Sequence, residues 1–362
     1  MAPSPTLFVF LLLVLQLIIC NAAMRLPKFT ALLIFGDSTV DSGNNNYLNT
    51  LAKGNHPPYG RDFPGHIATG RFSNGKLVPD MVASKLGIKD AIPPFLQPDL
   101  SDEELLTGVC FASGGSGLDD LTAAAAGVIP VSKQLSYLKM YVERLKRLVG
   151  EQEAQSIISG ALVVISAGTN DFALNFYDLP TRKFQFNINE YQDFLLNNLQ
   201  NFVQKVYNMG CRKMVVAGLP PIGCLPIQMT LKARVLQRTC LHHQNLDSKL
   251  YNQKLAEDLI PRWTRSLPGS LIIYADVYNP LSDMINHPQK YGFRETGRGC
   301  CGTGLAEVGP FCSPLSLVCH NTSLFLFWDG IHPTELAYSY LAQTILKQII
   351  GSRSASTDHF SK

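Results

Sequence analysis

The chain has 362 residues, enough for one large domain or two small ones. Its 46% hydrophobic and 16% charged residues form an ordinary globular balance and exclude bulk disorder. A net charge of +3, with no block of Lys or Arg, excludes the basic footprint of a nucleic-acid binder.

Export is the first expectation along the chain. Leu7 to Ile19 is apolar apart from Gln16, and small residues follow at Ala22 and Ala23. That pattern reads as a secretory signal peptide over 1–23. A signal anchor is the competing reading, but the run is shorter than the roughly 20 residues of a membrane span. No later stretch is long and apolar enough to cross a membrane. A single domain is expected over 24–351, followed by a flexible tail over 352–362. The mature protein is expected outside the cell.

Short apolar runs then alternate with helical patterns. Ala31–Phe35, Ala161–Ile165, Lys213–Ala217 and Leu271–Ala275 read as buried strands, and Gly108–Ala112 as a weaker one. Residues 131–149, 189–208, 240–266 and 333–350 carry helical spacing, the last opening at Pro333. This order predicts an α/β fold, a three-layer α/β/α sandwich around a mainly parallel sheet. Residues 53–75 and 280–325 are rich in Gly and Pro and read as loops.

Nine cysteines support export, of which Cys20 lies in the signal. Four crowd into residues 300–319. No C-x-x-C pair with a matching partner pair favours zinc, and no metal is expected. Cys224 and Cys240 can bridge a loop, and adjacent Cys300 and Cys301 require different partners. The remaining connectivity is open. Asn321-Thr322-Ser323 is an N-glycosylation sequon on an expected surface loop.

In a parallel sheet, sites form at the carboxyl ends of strands. The first strand ends in Gly36-Asp37-Ser38-Thr39, followed by Asp41 to Asn46. Alone, this is more readily a helix-capping turn than a nucleophile. Ser113-Gly114-Gly115-Ser116-Gly117 offers bare backbone N–H groups, as an oxyanion site needs, or a tight turn. Gly168-Thr169-Asn170-Asp171 offers a side-chain amide, or a helix cap. Asp329-Gly330-Ile331-His332-Pro333 places a carboxylate three residues before a histidine, the orienter and base of a triad.

Phe35 to Ser38 with Asp41 to Asn46 resembles the first block of the plant GDSL esterase/lipase family, within the SGNH hydrolase superfamily. Phe111–Gly117 resembles its second block, Gly168–Asp171 its third, and Phe327–Asp329 with His332-Pro333 its fifth. The blocks fall in the family's order over roughly residues 30–350. The resemblance implies an SGNH-type sandwich that hydrolyses carboxylic esters without a cofactor. It implies Ser38 as nucleophile, His332 as base and Asp329 as its orienter. The Ser38 and Gly115 N–H groups and the Asn170 side chain would form the oxyanion hole, with Gly114 adjacent to Gly115. Two positions depart: Thr39 stands where the family has Leu, and Cys110 where Asn is common, which predicts a missing structural hydrogen bond.

The rivals are weaker. Gly70–Leu77 nearly matches a phosphate-binding loop, but Leu77 replaces the Ser/Thr and no strand precedes it, so a surface turn is expected. His242-His243 point apart on a helix, and Asp119-Asp120 read as a solvated helix start. No Gly-x-Ser-x-Gly elbow exists in the chain. Three functions stay open: an ester hydrolase, an acyltransferase using the same acyl-enzyme, and a non-catalytic extracellular binding protein. Substrates of the first are small-molecule, lipid or acylated polysaccharide esters. Oligomeric state is open.

Overall fold

Strands of continuous Leu, Ile and Val must be covered on both faces, and the fold does this with two helical layers. A computed structural model describes residues 28–179, 181–232 and 238–357 of the chain. The expected signal peptide lies outside the described residues. Four parallel strands pair in chain order: β1 (Leu32–Gly36), β2 (Leu162–Ser166), β3 (Lys213–Ala217) and β4 (Leu271–Ala275). Gly108–Ala112 forms no regular strand. It runs beside β1 as an irregular edge, through Ile34 N–H to Val109 C=O and Phe111 N–H to Ile34 C=O.

Alternation along the strands divides the core. Leu33, Phe35, Val163, Ile165, Met214 and Val216 face one helical layer. Leu32, Ile34, Leu162, Val215, Ile273 and Ala275 face the opposite way. That second face is covered by α1 (Val78–Lys85) through Ala83 and by the C-terminal helix through Ile345 and Ile349. On the first face lie α2 (Val131–Val149) and α3 (Ile188–Asn208). Both were expected within a residue of these bounds. Asn187 and Glu190 bond reciprocally across the first turn of α3, which fixes its start. The expected helix over 240–266 is α4 (His242–Gln253), a π-helical stretch and α5 (Ile260–Ser266). His242 and His243 are exposed at its start.

The C-terminal helix α6 spans Glu335–Thr357. Pro333 lies just before it, and Thr334 Oγ1 accepts the Ala337 N–H. The helix continues past Gly351, the expected end of the domain. Residues 280–325 are more ordered than expected. They include the helix Tyr278–Asn286 and β5 (Glu295–Gly299), which pairs in parallel with β6 (Phe325–Phe327). Disulfides join Cys224 to Cys240, Cys300 to Cys319 and Cys301 to Cys312. Adjacent Cys300 and Cys301 thus take different partners, as the sequence required. Each closed loop contributes about 3 kcal/mol in the chain-entropy view. Cys110 and Cys211 are free and buried, and burial pushes both thiols up to about 12.

Two ion pairs, each with a buried carboxylate, overturn sequence readings. The Gly70–Leu77 run is an interior staple and not a surface turn. Arg71 is 4% exposed and grips Asp80 through Nε at 2.8 Å and Nη2 at 2.7 Å. It also donates to the Ser42 and Ile92 carbonyls. Nor is Asp119 solvated. It caps the short helix Asp120–Ala126, and Arg182 holds it at 2.6 and 2.9 Å. Periodicity sees charge but not the distant partner that lets charge be buried. Asp171 closes the same cluster, accepting the Leu118 and Asp119 N–H groups and the Thr122 hydroxyl.

Removing one partner of a buried pair leaves an uncompensated charge, at a cost of about 3–5 kcal/mol. Arg71→Met is expected to lose that much in urea unfolding; a loss under 1 kcal/mol would show that the pair is dispensable. Asp171 gives a pH prediction. Burial outweighs its three donors and raises its carboxyl to about 7. Its folded pKa exceeds its unfolded value, so its stabilisation is full below about pH 4 and is lost as pH rises through about 7. Melting temperature should fall more steeply between pH 5 and 8 in wild type than in Asp171→Asn. Parallel curves would refute the assignment.

Candidate active site

The carboxyl ends of β1 and β2, the loop after Gly108–Ala112 and the segment before α6 converge. Ser38 follows β1 directly. Gly36 makes the turn at φ +139°, and a Cβ there would lie 1.8 Å from the Ser166 carbonyl, so only glycine fits. Buried Gln134 on α2 bonds both the N–H and the C=O of Gly36, each at 2.9 Å. No sequence signal marked Gln134, because its partner lies 98 residues away.

Ser38, His332 and Asp329 form one hydrogen-bonded row. His332 Nε2 lies 2.8 Å from Ser38 Oγ. His332 Nδ1 lies 2.7 Å from Asp329 Oδ2 and 2.9 Å from Oδ1. Asp329 Oδ1 also accepts the Ile331 N–H at 2.8 Å and the His332 N–H at 2.7 Å. The three-residue spacing therefore closes a turn on the carboxylate, which fixes backbone and ring together. All three residues are buried: Ser38 is 7% exposed, His332 2% and Asp329 0%.

Residues that the sequence did not single out hold this row. The Tyr59 hydroxyl donates to Asp329 Oδ2 at 2.7 Å and accepts the Gly309 N–H at 2.8 Å. Burial, with Asp329 beside it, holds the Tyr59 phenol far above its usual value, so it stays a donor. Phe72 stacks on the His332 ring at 5.1 Å. Ser73 Oγ donates to the Pro333 carbonyl at 3.0 Å, and Asn74 Oδ1 accepts the Glu335 N–H at 2.9 Å. The phosphate-loop lookalike thus clamps the histidine segment. On the other side, Cys300 and Cys301 donate their N–H groups to Phe327 and Trp328. Both cysteines pack with Tyr59, Phe72 and Trp328 in one cluster.

The backbone donors around Ser38 are sorted by two buried carboxylates. Asp37 accepts the Thr39 N–H at 3.0 Å. Asp41 accepts those of Gly43 and Asn44 at 2.8 Å each, and that of Gly114 at 2.9 Å. Among the described residues, the N–H groups of Ser38 and Gly115 meet no acceptor. This separates Gly115 from adjacent Gly114. Burial raises the Asp37 carboxyl despite the Thr39 donors and nearby His332, and raises that of Asp41 to about 6. The Asn170 side chain donates to the Ser116 carbonyl at 2.9 Å, and Ser116 Oγ donates to Gly36 C=O at 2.8 Å. One short path therefore ties Asn170 to the turn before Ser38.

Cys110 corrects an expectation. Its thiol donates to the Val40 carbonyl at 3.3 Å, and Asn44 Nδ2 donates to its carbonyl at 2.9 Å, so no hydrogen bond is missing there. Asn321 is apart from the site. It is exposed, and its side-chain oxygen accepts the Ser323 N–H at 3.0 Å. No cluster of three or more His, Cys, Asp or Glu suited to a metal occurs among the described residues. No helix among them is long and apolar enough to cross a membrane.

Comparison with known proteins agrees with this arrangement. The family described as GDSL-like Lipase/Acylhydrolase matches residues 32–345. GDSL esterase/lipase At2g30310 of Arabidopsis thaliana is 53% identical over 97% of this chain and 99% of its own length. GDSL esterase/lipase At2g30220 of the same plant is 54% identical over 96% and 98%. GDSL esterase/lipase At1g06990, also from that plant, is 53% identical over 90% and 91%. The chain belongs to the GDSL-like lipase/acylhydrolase family and is a carboxylic ester hydrolase.

Proposed function

We propose that the chain is an exported serine esterase that works through an acyl-enzyme on Ser38. The observation that carries this is the unbroken row from Ser38 Oγ through His332 to Asp329, with 2.8 and 2.7 Å contacts. Nucleophile, base and orienter are already in reach of one another. His332 takes the Ser38 proton as Oγ attacks the ester carbonyl, and Asp329 stabilises the imidazolium that forms. The oxyanion is met by the Ser38 and Gly115 N–H groups and by the second amide hydrogen of Asn170. His332 then protonates the leaving alcohol, and water activated by the same histidine releases the acid. No step requires a cofactor.

Export is supported by the three disulfides and by the exposed sequon at Asn321, which suits glycosylation. The substrates proposed are lipid esters or acylated wall components.

Ser38→Ala should abolish both ester turnover and labelling by a fluorophosphonate, and retained labelling would sink the assignment. Tyr59→Phe removes one hydrogen bond to a charged group, about 1.5–3 kcal/mol, and should lower kcat roughly ten- to hundredfold with KM little changed. A loss confined to KM would remove Tyr59 from the catalytic support.

A further inference from the structure

A narrow cavity of about 90 Å³ lies between the α6-facing side of the sheet and helices α1 and α6. One end is lined by Thr39, Thr169, Ile331 and Pro333. These are the chain neighbours of Ser38, Asn170 and His332. From there the lining follows α6 from Tyr338 to Ile349, about 16 Å of helix.

The cavity has a sequence cause. The last row of the sheet on this face is Ser166, Ala217 and Ala275, all small, where deeper rows carry Val and Ile. Val164, Ser166 and Ala217 accordingly keep partial exposure although they belong to the central strands β2 and β3. The lining is almost wholly apolar beyond its Ser38 end. Tyr338, on the first turn of α6, also lines the cavity, and its buried hydroxyl has no partner among the described residues. An occupant with an oxygen at the Ser38 end and hydrocarbon beyond satisfies both features, and an ester is such a molecule.

We propose that this cavity holds the acyl chain of the ester that acylates Ser38, and that the rows at Ala217 and Val164 set the chain length accepted. The inference rests on the reading of Ser38 as nucleophile. A water needs about 10–15 Å³ of such space, so the cavity takes roughly six to nine groups of that size, a medium-length acyl chain. The Val164 row lies about 6–7 Å deeper than the Ala217 row, which makes the two positions a depth gauge.

The test is kcat/KM on p-nitrophenyl acetate, butyrate, octanoate and dodecanoate. For wild type, values should rise toward octanoate, by up to about fourfold per methylene, and fall at dodecanoate. Ala217→Leu should lower the butyrate-to-acetate ratio at least tenfold. Val164→Phe should lower the octanoate-to-butyrate ratio by as much and leave the butyrate-to-acetate ratio in place. If a filling variant does not fold, Val164→Ala serves in its stead and should raise the dodecanoate-to-octanoate ratio. Tyr338→Phe should lower all four esters by a common factor. Ratios unmoved in folded, fluorophosphonate-labelled variants would overturn the cavity assignment alone. Turnover surviving in Ser38→Ala would overturn the nucleophile, and the cavity assignment with it.

Discussion

A carboxylate without solvent must be met by donors, or it takes up a proton and ceases to be a charge. Asp329 is 0% exposed, and four donors meet it: its own turn supplies two N–H groups, His332 supplies Nδ1 and Tyr59 supplies a hydroxyl. Each donor comes from a segment that must be placed before the charge can be buried. The Tyr59 hydroxyl is in turn oriented by Gly309, which sits within the disulfide-tied stretch between Cys301 and Cys312. The disulfides are therefore part of the support of the carboxylate. Segments with few apolar residues cannot be held by burial alone, and covalent ties do the work that a larger core does elsewhere.

The histidine is positioned by the same kind of loop chemistry from the other side. Phe72 fixes the plane of the ring, Ser73 the carbonyl after it, and Asn74 the first residue of α6. These three follow Arg71, whose buried pair with Asp80 anchors the run to α1. The motif that looked like a nucleotide loop owes its glycines and its arginine to this packing. Gly70 has φ +104°, and a Cβ there would strike the Asn46 side chain. Its arginine is spent on Asp80.

How much of this was legible follows from the range of each interaction. β1 to β4, α2 and α3 could be read because apolar periodicity is local and both sheet faces are covered. The Asp329–His332 pair could be read because three residues span one turn. Tyr59 and Gln134 could not, since their partners lie 270 and 98 residues away. Arg71 and Asp119 were misread for the same reason: a charge in sequence looks solvated until its partner is known. β5 and β6 were hidden in another way. β5 reads Glu-Thr-Gly-Arg-Gly, with no apolar alternation, and is held by pairing with Phe325–Phe327 and by the disulfides around it.

The proposed oxyanion side of the site is built by subtraction. The turn after β1 and the glycine loop present many backbone N–H groups, and a hole requires a few that are free and aimed. Asp37 and Asp41 consume those of Thr39, Gly43, Asn44 and Gly114. Ser38 and Gly115 are among those that meet no acceptor in the described residues. The raised carboxyls of Asp37 and Asp41 follow from the same arrangement, because both groups are buried to do this sorting. In the proposed mechanism, the acidic residues of the first block serve without touching a substrate, by accepting N–H groups that would otherwise compete. That also explains why two glycines in the loop are not equivalent: Gly114 is bound to Asp41 and packs on Phe72, while Gly115, at φ +89°, keeps its N–H.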